Sequence, residues 1–345
     1  MEIKRYSSID QLRFIAALSV AISHLIISHS GFNLNLEIIS SISVEVFFII
    51  SGFVLAPQII KIIKNDGIYN YKIFLIRRWY RTIPLYVLSL IFTSIILNKF
   101  FTFDFFKYLF FLQNFIFIWL ENDYFSISWS LAVEEWFYII FPLFLIIIIK
   151  SKNKINNNSI INASFLFILV ILFIRIFFAN DDNWGADVRR VVLYRLDSIA
   201  FGFILFFFKD KFKPIFFHKV ILIVSFCLFS YLIFEILYKN ASGNFIFYKI
   251  IFHFCIAIWG SILVLIFYIN DKRHINKSLL KLNLFLGKIS YSIYLFHLLI
   301  IYILSTISFS LPIKIIIYLI LQLIISTLLY YFFEEPILKS RPDFK

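Results

Sequence analysis

An all-α polytopic membrane protein is the fold class this sequence predicts: a bundle of about ten transmembrane helices, with one additional interfacial or re-entrant segment near 105–120. Three observations predict it. Hydrophobic residues fill 61% of the 345 positions and charged residues 15%, against about a quarter charged in an ordinary soluble domain. Mean hydropathy is +0.90. Lys and Arg gather in short connectors between apolar runs, as they do when basic residues are retained on the cytoplasmic side of a membrane. The formal charge of +13 therefore sets topology and does not argue for a nucleic-acid partner.

Runs near the roughly 20 residues that a crossing needs fall at 11–30, 41–60, 82–98, 126–149, 160–179, 193–208, 220–238, 246–269, 284–305 and 312–333. Lys4 and Arg5 ahead of the first run resemble the start of a signal peptide. Arg13 and His24 inside that run argue for a retained span. With the N-terminus inside, the inner connectors carry Lys61, Lys64, Lys72, Arg77, Arg78 and Arg81, and later the clusters Lys150–Lys154, Lys209–Lys219 and Lys272–Lys281. The outer connectors hold few basic residues, so both termini are placed inside. The run FFKYLFFLQNFIFIWL at 105–120 approaches spanning length, but an eleventh crossing would invert every later connector. It is placed at the outer interface, with Trp119 near the headgroups. Cys227 and Cys255 lie in apolar runs without metal-ligand or paired spacing, so neither a disulfide framework nor a metal site is expected. A single domain over 1–345, with no fused soluble C-terminal domain, is the expectation.

Ionisable side chains inside a span are costly unless a partner or a wet cavity receives them. Arg13 and His24 share the first span, about 16 Å apart at the helical rise. His24 and His297, entering from inside, and Glu134 and Glu135, entering from outside, reach a common depth in the outer half of a slab about 30 Å thick. One wet pocket is the reading, with Glu45, Arg195 and Asp197 nearby at the outer ends of their spans. Interhelical tethering is the alternative for each of these taken singly. A second cluster lies on the inner side: Arg77, Arg78 and Arg81 in IRRWYRTIPLY, with Arg13, Asp10, Glu334 and Glu335. Arginines spaced by three or four face one way on a helix and can grip phosphates bidentately. Plain membrane anchoring is the alternative.

Seven motifs occur in one order: Arg13 and His24 with ten residues between, FFIISGFVL, the Arg78 and Arg81 pair, WSLAVEEWFYIIFP, RLDSIAFG, GKISYSIYLFH and Glu334-Glu335-Pro336. In this order the chain resembles, from Asp10 to Pro336, the acyltransferase-3 family of bacterial integral membrane O-acyltransferases of glycans. The resemblance implies a multi-pass protein of the bacterial inner membrane. It implies an acyl-CoA donor, usually acetyl-CoA, entering from the cytoplasm, and a hydroxyl of a cell-surface or lipid-linked glycan as acceptor. It makes His24 the leading catalytic candidate, with Arg13 and Glu134 beside it, and assigns Arg78 and Arg81, with Arg77 and Arg13, to the donor. Ser51, Ser290, Tyr291, His297, Glu135, Asp10, Glu45, Arg195, Asp197 and Glu334 complete the expected pocket, with no metal. Many relatives carry a further soluble domain.

Acyl transfer from a thioester to an alcohol needs a base for the hydroxyl proton. An imidazole with a pKa near 6.5 keeps a neutral fraction at working pH. His24 is expected as that base, oriented by a carboxylate such as Glu134. An acyl-histidine relay stays open. A rival reading is a glycan or proton-coupled transporter using His24, His297 and Glu134 as a relay, and another is a structural subunit of an envelope complex. The acceptor sugar, the acyl group and the oligomeric state are not read from sequence.

Overall fold

The structure, a computed structural model, describes residues 5–64, 68–120, 123–150, 155–179, 188–211, 220, 222–227, 230–231, 252–271 and 276–342. Its elements in chain order are α1 (Ser7–Ser30), α2 (Leu34–Lys64), α3 (Ile68–Ile96), α4 (Phe103–Leu109), α5 (Ser128–Lys150), α6 (Asn157–Phe178), α7 (Leu196–Phe208), α8 (His253–Asp271), α9 (Lys277–Ser305), α10 (Leu311–Leu329) and α11 (Glu335–Lys339). A π-type turn, Tyr330–Glu334, joins the last two. Eight of the described helices, counting Leu311–Lys339 as one, are long and apolar enough to cross a membrane. The chain is thus an all-helical polytopic bundle among the described residues. The expected span 220–238 and the start of 246–269 fall largely outside them.

Local chemistry sets the helix boundaries. Gly31, at φ +88°, closes α1 with its N–H on the Ile27 carbonyl, a positive φ that glycine adopts without a Cβ penalty. Asn156 caps α6 and Asn276 caps α9, each side chain accepting a backbone N–H. Helix α3 starts fourteen residues ahead of the apolar run at 82–98, because nothing in IYNYKIFLIRRWYR interrupts a helix. Arg77, Arg78 and Arg81 therefore stand on the helix itself and not on the connector expected from sequence. The aromatic segment near 105–120 is a seven-residue helix, α4, followed by turns, too short to cross a bilayer. At 13 residues α7 covers about 20 Å, less than a hydrocarbon slab.

Packing fixes which helices surround which. Helix α1 packs most extensively on α9 and α2, and α2 crosses α7. That crossing is backbone to backbone: a Cβ at Gly52 would run into the Ile199 carbonyl, and one at Gly202 into the Ile49 carbonyl. Small residues permit such close approach where no water drives helices together. Charged side chains lock the same region. Arg175 on α6 holds Asp197 on α7 at 2.8 Å and the Tyr194 carbonyl at 2.6 Å. Arg195 meets Glu45 on α2 and the ring of His253 at the start of α8. Both guanidinium groups are fully buried.

Between α4 and α5 the chain forms a cap over one end of the bundle. Asn114 reaches the Trp129 carbonyl at 3.3 Å. Val192 and Leu193 donate backbone N–H groups to the Asn114 and Phe115 carbonyls at 2.8 and 3.2 Å. Arg190 pairs with Asp123 at 2.8 Å, and Tyr108 donates to the same carboxylate at 2.9 Å. The bonds to the Asn114 and Phe115 carbonyls satisfy backbone that no helix ladder reaches.

Candidate active site

Two cavities lie back to back inside the bundle. A basic chamber is lined by Arg13 of α1, Arg78, Arg81 and Thr82 of α3, Ser51 of α2, Ser130, Glu134 and Tyr138 of α5, and Ser290, Tyr291 and Tyr294 of α9. A histidine chamber is lined by Val20 and His24 of α1, Glu37 and Ser40 of α2, Ser126, Ile127, Trp129, Arg189, Arg190 and Tyr294. Val44 and Tyr294 line both. The separation of about 16 Å between Arg13 and His24 along α1 is what assigns one to each chamber.

In the basic chamber three guanidinium groups face one lining carboxylate, Glu134. Arg78 lies over the Phe74 ring at 5.9 Å and donates to Gln58 Oε1 at 3.1 Å, while its buried Nε has no partner among the described residues. Glu134 accepts from Ser51 Oγ at 2.7 Å and from Tyr138 at 2.8 Å. Tyr291 donates to the Thr82 carbonyl at 2.8 Å. The surplus of forked, planar cations suits a phosphate-bearing ligand.

In the histidine chamber, His24 Nδ1 lies 2.8 Å from His297 Nε2, with the two ring planes 18° from parallel. His297 Nδ1 lies 2.6 Å from the Tyr294 carbonyl. A carbonyl can only accept, so His297 carries its proton on Nδ1 and offers a lone pair at Nε2. For two neutral rings this makes His24 Nδ1 the donor. His24 Nε2 is then left with a free lone pair, no described residue hydrogen-bonds it, and the residue lines the chamber. Opposite, Arg189 stands over the Trp129 ring at 5.5 Å, pairs with Glu37 and donates to Ser41 Oγ at 2.7 Å.

The structure brings together Arg13, Ser51, Arg78, Arg81, Glu134, Ser290 and Tyr291 in one chamber and His24, with His297 behind it, in the other. Glu134, expected beside His24, faces the basic chamber, and His297 takes the orienting position. Glu135 turns from the chamber to accept from Thr82 Oγ1 at 2.5 Å. Glu334 accepts from Ser292 and borders a small crevice with Arg81. Asp10 pairs with Arg5 at 2.5 Å and Arg13 at 3.6 Å, at the mouth of α1. Arg77 donates to the Pro342 carbonyl. Glu45, Arg195 and Asp197 line neither chamber; they pair in the α2, α6, α7 and α8 interface.

Sequence reasoning missed Gln58, Tyr138, Tyr294, Glu37 and Arg189. Tyr138 stands four residues after Glu134, and Tyr294 three before His297, so both share a helix face with a residue already singled out. Glu37 lies at a helix start and Arg189 in a connector, where apolar periodicity gives no signal.

A family model described as an acyltransferase domain matches residues 6–331. A Staphylococcus aureus (strain COL) protein named Putative O-acetyltransferase SACOL0978 is 29% identical over 370 positions, covering 96% of this chain and 57% of its own. The Bacillus subtilis (strain 168) protein named Putative peptidoglycan O-acetyltransferase YrhL is 31% identical over 167 positions, covering 43% of this chain and 25% of its own. The chain thus spans a little over half the length of the staphylococcal relatives it matches. No solved structure matches it. With the match running from Tyr6 through every helix that lines the two chambers, this chain belongs to the acyltransferase-3 family.

Proposed function

We propose that this protein is a membrane O-acyltransferase that moves an acetyl group from acetyl-CoA to a hydroxyl of a glycan, with His24 Nε2 as the general base. The observation that carries the reading is the chain from the Tyr294 carbonyl through His297 to His24. It leaves one nitrogen of His24 unprotonated, in a residue that lines one chamber while Arg13, Arg78 and Arg81 line the other. The acyl-CoA donor supplies an activated thioester and several phosphates. Arg78 and Arg81, with Arg13, hold the phosphates. Arg77 lies at the same end of α3, at the approach to them. Ser51, Ser290 and Tyr291 offer the neutral donors and acceptors around the rest of the molecule.

In the histidine chamber the acceptor hydroxyl gives its proton to His24 Nε2 as its oxygen attacks the thioester carbonyl. The C–O bond forms, the C–S bond breaks, and the proton returns from His24 to the departing thiolate. His297 accepts from His24 Nδ1 throughout and so stabilises the imidazolium that forms in between. Glu37, Ser40 and Arg189 supply polar groups for a saccharide in the same chamber. A peptidoglycan O-acetyltransferase among the similar proteins supports a glycan acceptor, either polymeric or lipid-linked.

The Lys and Arg distribution supports a cytoplasmic location for both termini and for the basic chamber, in a bacterial inner membrane. The test is mass spectrometry of surface glycans from cells carrying the wild-type chain or His24→Ala. A base contributes about 10²–10⁴-fold, so the acetyl increment is expected to vanish in the variant. Undiminished acetylation would end the base assignment. Failure of the purified chain to bind acetyl-CoA would favour a carrier that uses the same histidines as a relay.

A further inference from the structure

The two chambers share Val44 and Tyr294 and no other lining residue. Val44, on α2, is 4% exposed and Tyr294, on α9, 7%. Tyr294 is held from several sides. Its hydroxyl lies 2.6 Å from Ser130 Oγ and 3.3 Å from the Ile127 carbonyl. Its ring meets Phe47 edge-on at 5.7 Å and His297 at 5.8 Å. A β-branched side chain with restricted χ1 and a pinned aromatic thus both border each chamber. Arginines that suit a phosphate-bearing body stand on one side of this partition and the free nitrogen of His24 on the other. A donor anchored by the arginines has to bring its acyl carbon past Val44 to reach that nitrogen.

We infer that Val44 and Tyr294 form an acyl-size filter, which makes Val44 a specificity-determining residue selecting a two-carbon acyl group over longer ones. This rests on the acyltransferase reading above. An acetyl group asks for a small displacement of Val44. Each further methylene has to be accommodated against side chains that are already packed, and close-packed interiors resist even one added methylene. One methylene in such a pocket is worth on the order of 10–200-fold in selectivity.

The experiment uses inverted membrane vesicles from a bacterium expressing the full chain, supplied with acetyl-, propionyl- or butyryl-CoA labelled in the acyl group. Transfer of label to vesicle glycan is followed, and binding of CoA itself serves as the check on folding. Wild-type vesicles are expected to prefer acetyl over butyryl by on the order of 100-fold. Val44→Ala should lower that preference by about tenfold, and Val44→Phe should suppress acetyl transfer while CoA binding persists. If Val44→Ala does not accumulate, Tyr294→Phe, which removes the hydroxyl pin, should shift the ratio the same way. An unaltered ratio in vesicles that still transfer acetyl overturns the filter alone. Absence of any transfer by wild-type vesicles overturns both the filter and the reading beneath it.

Discussion

His24 and His297 stand on α1 and α9, the most extensively packed helix pair among the described residues, and the single Nδ1 hydrogen of His24 is taken up by His297 Nε2. His297→Ala would remove that acceptor and let the His24 ring rotate or exchange tautomers. Misplacing a catalytic group by about 1 Å can cost on the order of 100-fold, and a loss of that order in acyl transfer is the expected outcome, with CoA binding retained. His297→Gln carries an amide oxygen able to take the Nδ1 proton and should recover part of the rate. Equal rates for the Ala and Gln variants would show that His297 fills space and does not orient. His24 and Arg13 were legible as exceptions within an apolar run, because their desolvation cost demands a reason. The partner of His24 was not. Rise per residue gives depth, and depth alone put His24, His297, Glu134 and Glu135 at one level. Which face of its helix each occupies decides contact, and Glu134 proves to be turned toward Ser51 and Tyr138.

At the scale of the helices, two motifs that read as functional divide between chemistry and scaffold. In SGF, Ser51 lines the basic chamber while Gly52 lets α2 touch α7. In RLDSIAFG, Gly202 is the other half of that crossing, and Arg195 and Asp197 anchor α7 to α2 and α6. Sequence supplied the residues and their order but not this division, since a buried ion pair and a wet pocket use the same side chains at the same depth. Removing one partner of a buried pair leaves an uncompensated charge, at a cost of about 3–5 kcal/mol. Glu45→Ala is therefore expected to lower the thermal unfolding temperature of the detergent-solubilised protein markedly. Folded protein should still bind CoA, because Glu45 lines neither chamber. A variant with unchanged unfolding temperature but lost binding would return Glu45 to the site.

Taken whole, the molecule separates Arg13, Arg78 and Arg81 in one chamber from His24, with Arg189 and Arg190, in the other, and Val44 and Tyr294 line both. The spans were legible because apolar runs of crossing length leave few alternatives in a bilayer. The chambers were not, because a void belongs to several helices at once and no single run encodes it. The proposed orientation predicts sidedness. If the proposed donor and orientation hold, acyl-CoA added outside inverted vesicles reaches the basic chamber, whereas the same donor outside right-side-out vesicles meets the segment where Arg190 pairs with Asp123. Label transfer is expected from the inverted preparation and not from the right-side-out one. In the inverted preparation, replacing Arg78 and Arg81 together by Ala should raise the acyl-CoA concentration for half-maximal rate by at least about tenfold. Hydrogen bonds to charged groups contribute about 1.5–3 kcal/mol each, and 1.4 kcal/mol is a factor of ten. Equal rates from both faces would mean that the donor does not enter by the arginines, and the distance between Arg13 and His24 along α1 would then need a different purpose.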